Sequence, residues 1–415
     1  MARKMKDSGI EWIGEIPEGW EVATIGHLFS VTAGGDAKPH LYSYVQDAKH
    51  PYPVYTNSSN PNQIYAYTSA PKFSENTITV TGRGDIGHAF YRNTKFDAII
   101  RLLVLAPKSA LDCRYYAYWI DNVSIFFTNS AAVGQLSAQQ IFPYKTCYLP
   151  LCEQQSIANH LDFYCSKIEH ILADIQNSIQ EYKKLKQAVI TQAVTKGVRG
   201  KREMKDSGVE WIGEIPEEWN KCKLKNISID IGDGLHGTPK FGDSGEVYFI
   251  NGNNFSSEYV EPKFDTKKLC LEESLNYPKP ELTEQTIMIS LNGSYGKVCL
   301  YRYFPMLLGK SAGYITLLPS INRRYVRYYL SSTPAQIMMT LSLNGTTIPN
   351  LSLNTLYNFP TILPSASEQA EIADCLDAKC AEIDGLIAKK EQLVKELESY
   401  KKSLIYEVVT GKREV

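Results

Sequence analysis

Residues Met5–Trp20 read MKDSGIEWIGEIPEGW and residues Met204–Trp219 read MKDSGVEWIGEIPEEW, differing only at Ile10/Val209 and Gly19/Glu218. Agreement over that length does not arise from composition. It marks an internal duplication, and a duplicated chain is constrained to fold as two related halves. The stretch itself is dense in Gly, Pro and Trp, which suits a turn that pins a domain entrance onto a neighbour. Its chief use is as a marker of where each half begins.

The segments behind the two markers repeat an order of elements and share little else. In the first, Ile78–Val80 leads into a Gly-rich turn, Gly82-Arg83-Gly84-Asp85-Ile86-Gly87; Ile99–Ala106 reads as a buried strand closed by Pro107, and Arg114–Ile120 as a short aromatic helix. In the second, Ile287–Ile289 precedes Asn292-Gly293-Ser294-Tyr295-Gly296-Lys297, Tyr314–Leu318 closes at Pro319, and Arg324–Leu330 is the matching helix. Leu136-Ser137 recurs as Leu351-Ser352. The pattern implies two copies of one α/β domain with a shared framework and divergent loops.

Each variable domain runs into a long helix. After Glu153-Gln154, Leu161, Ile168, Ile175, Tyr182 and Val189 recur every seven residues, with Ile157, Tyr164, Ile171 and Leu185 as a companion series. After Glu368-Gln369, Leu376, Ile383, Leu397 and Leu404 do the same, with Ile372, Leu386, Leu393 and Tyr400 alongside. These are coiled-coil seams, interrupted at Ser178 in the first helix and at Lys379 and Lys390 in the second. A helix of about 40 residues runs roughly 60 Å, and each helix is the other's obvious partner. The first helix leaves through GKRE (200–203) into the second marker, and GKREV closes the chain at 411–415. The expected architecture is α/β and circular: residues 1–150 a first domain with its marker, 151–200 a long helix, 201–364 a second domain with its marker, 365–415 a second long helix. A pseudo-twofold relation would make the helices an antiparallel coiled coil and bring the termini together.

Composition narrows the function classes. A hydrophobic fraction of 43% and a charged fraction of 21% describe an ordinary globular protein. No apolar run is long enough to span a membrane and the opening has no signal-peptide core, so the expected location is the cytoplasm, with no membrane partner. Nine cysteines without a CxxC pair read as buried reduced thiols, not a metal site. The formal net charge of -1 argues against a large basic surface. Its distribution softens that: residues 22–150 carry ten Lys/Arg against seven Asp/Glu and residues 220–364 fourteen against eleven, so each variable segment is +3.

Catalytic signatures are missing. There is no Asn/Asp-Pro-Pro-aromatic loop for an amino-methyltransferase. Leu308-Gly309-Lys310-Ser311 resembles the end of a phosphate-binding loop, but the required earlier Gly is Phe304. The histidines form no HxxxH or HExxH pattern. No catalytic residue and no metal ligand is therefore assigned. What the loops do offer is base-reading chemistry: His40, Tyr42, Tyr55, Asn57 and Arg83 in the first domain, and Asn251, Asn253, Asn254, Asn292 and Lys297 in the second. Asn can pair bidentately with adenine, and Arg or Lys with guanine O6 and N7. An ordinary polar loop explains any single one of them equally well.

The marker, a variable domain, a long helix opened by Glu-Gln and then the whole cassette again resemble the specificity subunit of a type I restriction-modification system over nearly the full chain. Gly232-Asp233-Gly234-Leu235-His236-Gly237-Thr238-Pro239 is similar to an Asp-Gly-x-His-x-Thr-Pro motif of such target recognition domains, which brings in Asp233, His236 and Thr238; the first domain has Ala33-Gly34-Gly35-Asp36-Ala37-Lys38-Pro39 there, with Lys38 and no His in register. The resemblance implies a non-catalytic subunit. Each domain reads half of a split, asymmetric site in double-stranded DNA, and the helices set the spacing. The implied partners are two modification subunits that bind S-adenosylmethionine and methylate adenine N6, joined in some systems by restriction subunits using ATP and Mg; this chain itself would hold no cofactor. The turns at Gly82–Gly87 and Gly293–Gly296 would bring backbone close to DNA, with Arg83, Gly84, Asn292, Ser294 and Lys297 as contacts. The rival reading is a coiled-coil scaffold that organises a protein complex without reading DNA.

Overall fold

The computed structural model describes residues 3–124, 126, 135–242, 245–343 and 349–415. The chain divides into two compact units, Met1–Gln176 with Gln392–Val415, and Asn177–Glu391. The boundaries expected from chain order are thus cut across, because each long helix gives one half to each unit.

The first unit is built on a four-stranded antiparallel sheet in the order Phe29–Ala33, Leu103–Pro107, Thr77–Val80, Ala89–Arg92. Thr77–Val80 is buried at every residue, which suits β-branched side chains covered on both faces. A second sheet, Asp97–Ala98, Tyr52–Tyr55, Ile64–Thr68, Tyr42–Ser43, mixes parallel and antiparallel pairs. The second unit repeats the plan: Ser228–Asp233, Ala312–Leu317, Thr286–Ser290 and Val298–Leu300 form the large sheet, with Val247–Ile250 central in a smaller one. The aromatic helices are Cys113–Asn122 and Arg323–Ser331, capped by Asp112 and Asn322.

The stretch Ile99–Ala106, expected as one strand ending before Pro107, divides. Only Leu103–Pro107 is strand, and Pro107 belongs to it, paired with Phe29. Ile99–Leu102 is a tight turn closed by the Leu102 N–H on the Ile99 carbonyl at 3.2 Å. Hydrophobicity at Ile99 and Ile100 reads as strand because no Gly or Asn announces the turn.

Each marker is a short hairpin, Met5–Asp7 with Glu15–Pro17 and Met204–Asp206 with Glu214–Pro216. Gly9, Gly14 and their equivalents Gly208 and Gly213 lie at φ between 63° and 70°, the left-handed region Gly enters without strain. The hairpin buries Ile13, Ile16 and Trp20 in one core with Val408 and Val409. In the second unit Ile215 and Trp219 share a core with Ile190, Ala193 and Val194. The last turn of a long helix therefore seats on a marker in both units.

The long helices are Leu151–Lys196 and Ala366–Val409. In the second unit they run antiparallel, as Arg199–Glu371 (2.7 Å), Lys186–Asp384 (2.6 Å) and Lys183–Glu391 (4.0 Å) show; in the first, Glu169 holds Lys401 at 2.6 Å. Leu161, Ile168, Ile175, Leu376, Ile383 and Leu404 are buried, and Tyr182, Val189 and Leu397 half-buried. Of the expected companion series Ile157 and Ile372 are buried and Leu386 is half-buried, and the remaining members are displaced. Tyr164, Ile171, Leu185, Leu393 and Tyr400 are exposed. Their role falls to Cys165, Leu172, Ile179, Cys380 and Ile387, four residues after a seam position instead of three. Both spacings share a helix face, and the partner lies on the four-residue side. Lys390, in the second seam, places its ammonium 5.6 Å from the ring centre of Tyr182 in the first seam, and Lys379 points to solvent. Among the described residues no helix is long and apolar enough to cross a membrane.

Candidate nucleic-acid interface

Residues 81–88 and 290–297 form the same eight-residue loop. Thr81 Oγ1 donates to the Asp85 carbonyl (2.6 Å) and accepts from the His88 N–H (2.9 Å); Ser290 Oγ does the same with the Ser294 carbonyl and the Lys297 N–H at 2.6 and 2.9 Å. Gly87 N–H donates to Thr81 O, and Gly296 N–H to Ser290 O. Gly84 (φ +74°) and Gly87 (+97°) match Gly293 (+68°) and Gly296 (+72°). Beneath each loop a further strand-like bond locks it, from Leu136 N–H to Gly82 O and from Leu351 N–H to Leu291 O, both 2.8 Å. On this common frame stand different side chains: Arg83 against Asn292, Asp85 against Ser294, His88 against Lys297.

Three other segments converge on each loop. In the second domain Leu235 bridges Gly309, Leu291 N–H donates to Ser311 O, and Ser311 Oγ donates to Asn251 Oδ1 at 2.9 Å. This gathers the Asp233–Thr238 stretch, the Gly309–Ala312 turn and Asn251 around the Gly turn. In the first domain Gly35 bridges Ile99, and Asn57 ties the Ile99–Leu102 turn to the loop by accepting from Gly82 N–H (2.8 Å) and donating to Ile100 O.

The candidate residues fall into two groups. Lys38, His40, Arg83, Gly84, Thr238, Asn253, Ser294 and Lys297 are exposed, and His236 is exposed while held by Asp233 Oδ2 at 2.7 Å from its Nε2. Asn292 is half-buried and donates weakly to Lys310 O at 3.4 Å. Others are committed inside the fold. Asn57 is the clamp just described. Asn254 is buried, with its amide donating to Thr266 Oγ1 (2.8 Å) and its oxygen accepting from Asn251 N–H (3.0 Å). Tyr55 lies under the Arg92 guanidinium, 3.6 Å away. Tyr42 donates to Asp97, and burial, then that carboxylate, pushes its hydroxyl pKa up. Such residues shape the site without being available to a base.

A family model described as the type I restriction modification DNA specificity domain matches residues 17–181 and again 216–396. The chain belongs to this family of specificity subunits. Over 415 aligned residues it is 25% identical to the type I restriction enzyme MjaVIII specificity subunit of Methanocaldococcus jannaschii, covering 96% of this chain and 93% of that one. It is 23% identical over 303 residues to the EcoBI specificity subunit of Escherichia coli, covering 68% and 61%. Its fold matches a chain from a type I R-M system assembly with a TM-score of 0.73 at 13% identity, covering 96% and 99%. The HsdS subunit from Thermoanaerobacter tengcongensis gives 0.51 at 13%, covering 96% and 98%. Recognition of DNA sequence is the family's role, and a specificity subunit is non-catalytic; it works with the other subunits of a restriction-modification system.

What joins recognition domain to helix in this specificity subunit is a second repeated constellation. Glu153 accepts from Trp20 Nε1 (2.8 Å) and pairs with Arg3; Glu368 accepts from Trp219 Nε1 (2.9 Å) and pairs with Arg202 (2.6 Å). The neighbouring glutamines cap the aromatic helices: Gln154 Oε1 accepts from Asp112 N–H and Gln369 Oε1 from Asn322 N–H, both 2.9 Å. Arg114 and Tyr118 then reach Asp162, as Arg324 and Tyr328 reach Asp377. Sequence reasoning took Glu-Gln only as the opening of a helix. The signal that identifies these residues is positional: each Asp stands nine residues after its Glu in both copies.

Proposed function

We propose that this specificity subunit reads a split, asymmetric site in double-stranded DNA, one half with each recognition domain, and directs two modification subunits to the adenines within it. The observation that carries the reading is the pair of loops at 81–88 and 290–297. One hydrogen-bonded frame presents Arg83 in one domain and Asn292 in the other, and those side chains favour guanine and adenine respectively. Unlike letters on a common frame are what two unlike half-sites require.

Lys38, His40, His236, Thr238, Asn253, Ser294 and Lys297 are the further contacts in this reading, to bases or phosphates. The exposed apolar side chains of the long helices, Phe163, Tyr164 and Ile171 in one unit and Leu185 in the other, support docking of the modification subunits there. Those partners would supply S-adenosylmethionine chemistry on a flipped adenine, with restriction subunits adding ATP- and Mg-dependent cleavage, all in the cytoplasm. The chain's own part is position.

The test is co-expression with its modification partner in a host free of adenine methylation, followed by genome-wide mapping of N6-methyladenine. A split motif with two unlike halves is the expected result. A soluble, co-purifying complex that methylates nothing would favour the scaffold reading.

A further inference from the structure

Among the described residues, the non-Gly positions with positive φ are Asn76, Ile100 and Arg101. Asn tolerates that region; a β-branched Ile and an Arg do not. Ile100 (φ 52°) and Arg101 (φ 57°) are the two central residues of the Ile99–Leu102 turn, a conformation normally built from Asn and Gly. Strain of this kind persists only where the surroundings over-determine it, and it gathers at sites of function.

The surroundings do over-determine it. Ile99 N–H donates to Tyr55 O (3.0 Å), Ile100 N–H to Gly35 O (2.9 Å) and Gly34 N–H to Leu102 O (2.8 Å), while Asn57 donates to Ile100 O. Neither burial nor pairing explains the turn. Ile100 is 46% exposed, Arg101 is exposed, and Arg101 makes no ion pair among the described residues. The matching turn of the second domain, Gly309–Ala312, carries Lys310 and Ser311 and has no left-handed residue. The strain therefore belongs to the first domain alone.

Its position is telling. A Cβ on Gly82 would lie 3.3 Å from Arg101 O, so the backbones that carry Arg83 and Arg101 touch, and Asn57 bonds to both. Arg83 likewise is exposed with no ion pair among the described residues. Two arginines are thus displayed from adjoining turns, one of them at the expense of backbone strain.

Resting on the DNA reading above, we infer that Arg101 is a specificity-determining residue that acts beside Arg83, and that the half-site read by the first domain contains guanine recognised by this pair. A planar guanidinium meets O6 and N7 of guanine with a fixed bidentate fork, whereas the flexible ammonium of Lys reaches the same atoms without that fixed geometry.

The test uses the full-length chain with its modification partner and the same methylome mapping, comparing wild type with Arg101→Asn and Arg101→Lys. Asn suits the left-handed backbone, so that variant keeps the turn while removing the fork; Lys keeps the charge. Both should relax one G·C position in one half-site, raising methylation of sites altered there about 10-fold or more relative to the correct site, and leave the other half-site as in wild type. A uniform fall in methylation with the motif intact would make Arg101 a phosphate contact and overturn the inference, as would an unchanged profile. A wild-type complex that yields no motif would fail at the underlying DNA reading, which separates the two failures.

Discussion

Replacing Glu368 by alanine removes the acceptor for two groups at once. Its side chain is 2% exposed and takes hydrogen bonds from Trp219 Nε1 at 2.9 Å and from Arg202 at 2.6 Å, where the Arg202 side chain is 13% exposed. Deleting one partner of a buried pair leaves the other charge uncompensated, which costs about 3–5 kcal/mol; Glu218, 2.8 Å from Arg202 but 56% exposed, offsets only part of that. The indole N–H is left unpaired as well, and the lower half of the range already allows for relaxation toward solvent. The repeat supplies an internal control. Glu153 holds Trp20 and Arg3 in the same way, but both members of that ion pair are 29–30% exposed, so Glu153→Ala should cost about 1.5–3 kcal/mol, the value of one hydrogen bond to a charged group. Urea denaturation of the purified chain, with Trp fluorescence reporting on the two anchors, measures both. Equal losses for the two variants, or a loss below about 1 kcal/mol for Glu368→Ala, would refute the argument that burial sets the strength of the anchor.

Ile100→Asn should stabilise the first unit by about 1 kcal/mol, because Asn enters the left-handed region at lower cost than a β-branched residue; for a unit of this size that is roughly a 2–4 °C rise in Tm, and a fall would mean that the turn is not strained. Gly82→Ala places its Cβ 2.8 Å from the Leu136 carbonyl, so a loss of about 1–3 kcal/mol is expected, read out by thermal melting; no loss would show that the loop gives way. Leu376→Ala should cost about 2–5 kcal/mol as a fully buried seam residue. Leu185→Ala, on an exposed position of the other helix, should change stability by less than about 0.5 kcal/mol yet weaken co-purification of the modification partner, and an unaltered pull-down would remove that face from the docking surface.

The repeat, the two domains and the long helices are legible in the sequence because each rests on a local pattern. The Gly-rich turns are legible too, since residues at positive φ announce themselves as glycine at 84, 87, 293 and 296. The companion seam is legible only in part, at Ile157, Ile372 and Leu386. Phe163, Tyr164 and Cys165 stand together, as do Ile171 and Leu172, so apolar residues occupy both candidate spacings and only the partner helix decides between them. Asn57 and Asn254 look like base readers because an amide's chemistry is the same whether it meets adenine or a carbonyl 43 residues away. Ile100 and Arg101 escape for the opposite reason: the turn they make contradicts their own preferences, and long-range bonds to Tyr55 and Gly35 impose it. Glu153 and Glu368 are recognisable only by laying one half of the chain over the other.

The core that holds Trp20 also contains Leu404, Ile405, Val408 and Val409, and Tyr406 and Lys412 bond back to Trp12 and Ile13. During synthesis the first unit thus waits for residues that follow it by more than two hundred positions. At about 5–20 residues per second that delay is on the order of 10–50 s. Throughout it the socket around Trp20 and Ile16 stays open to water and to other nascent chains, whereas the second unit has all of its parts once Glu391 has been added. The first unit, although most of it is made first, can therefore close its core only when the last residues of the chain are available.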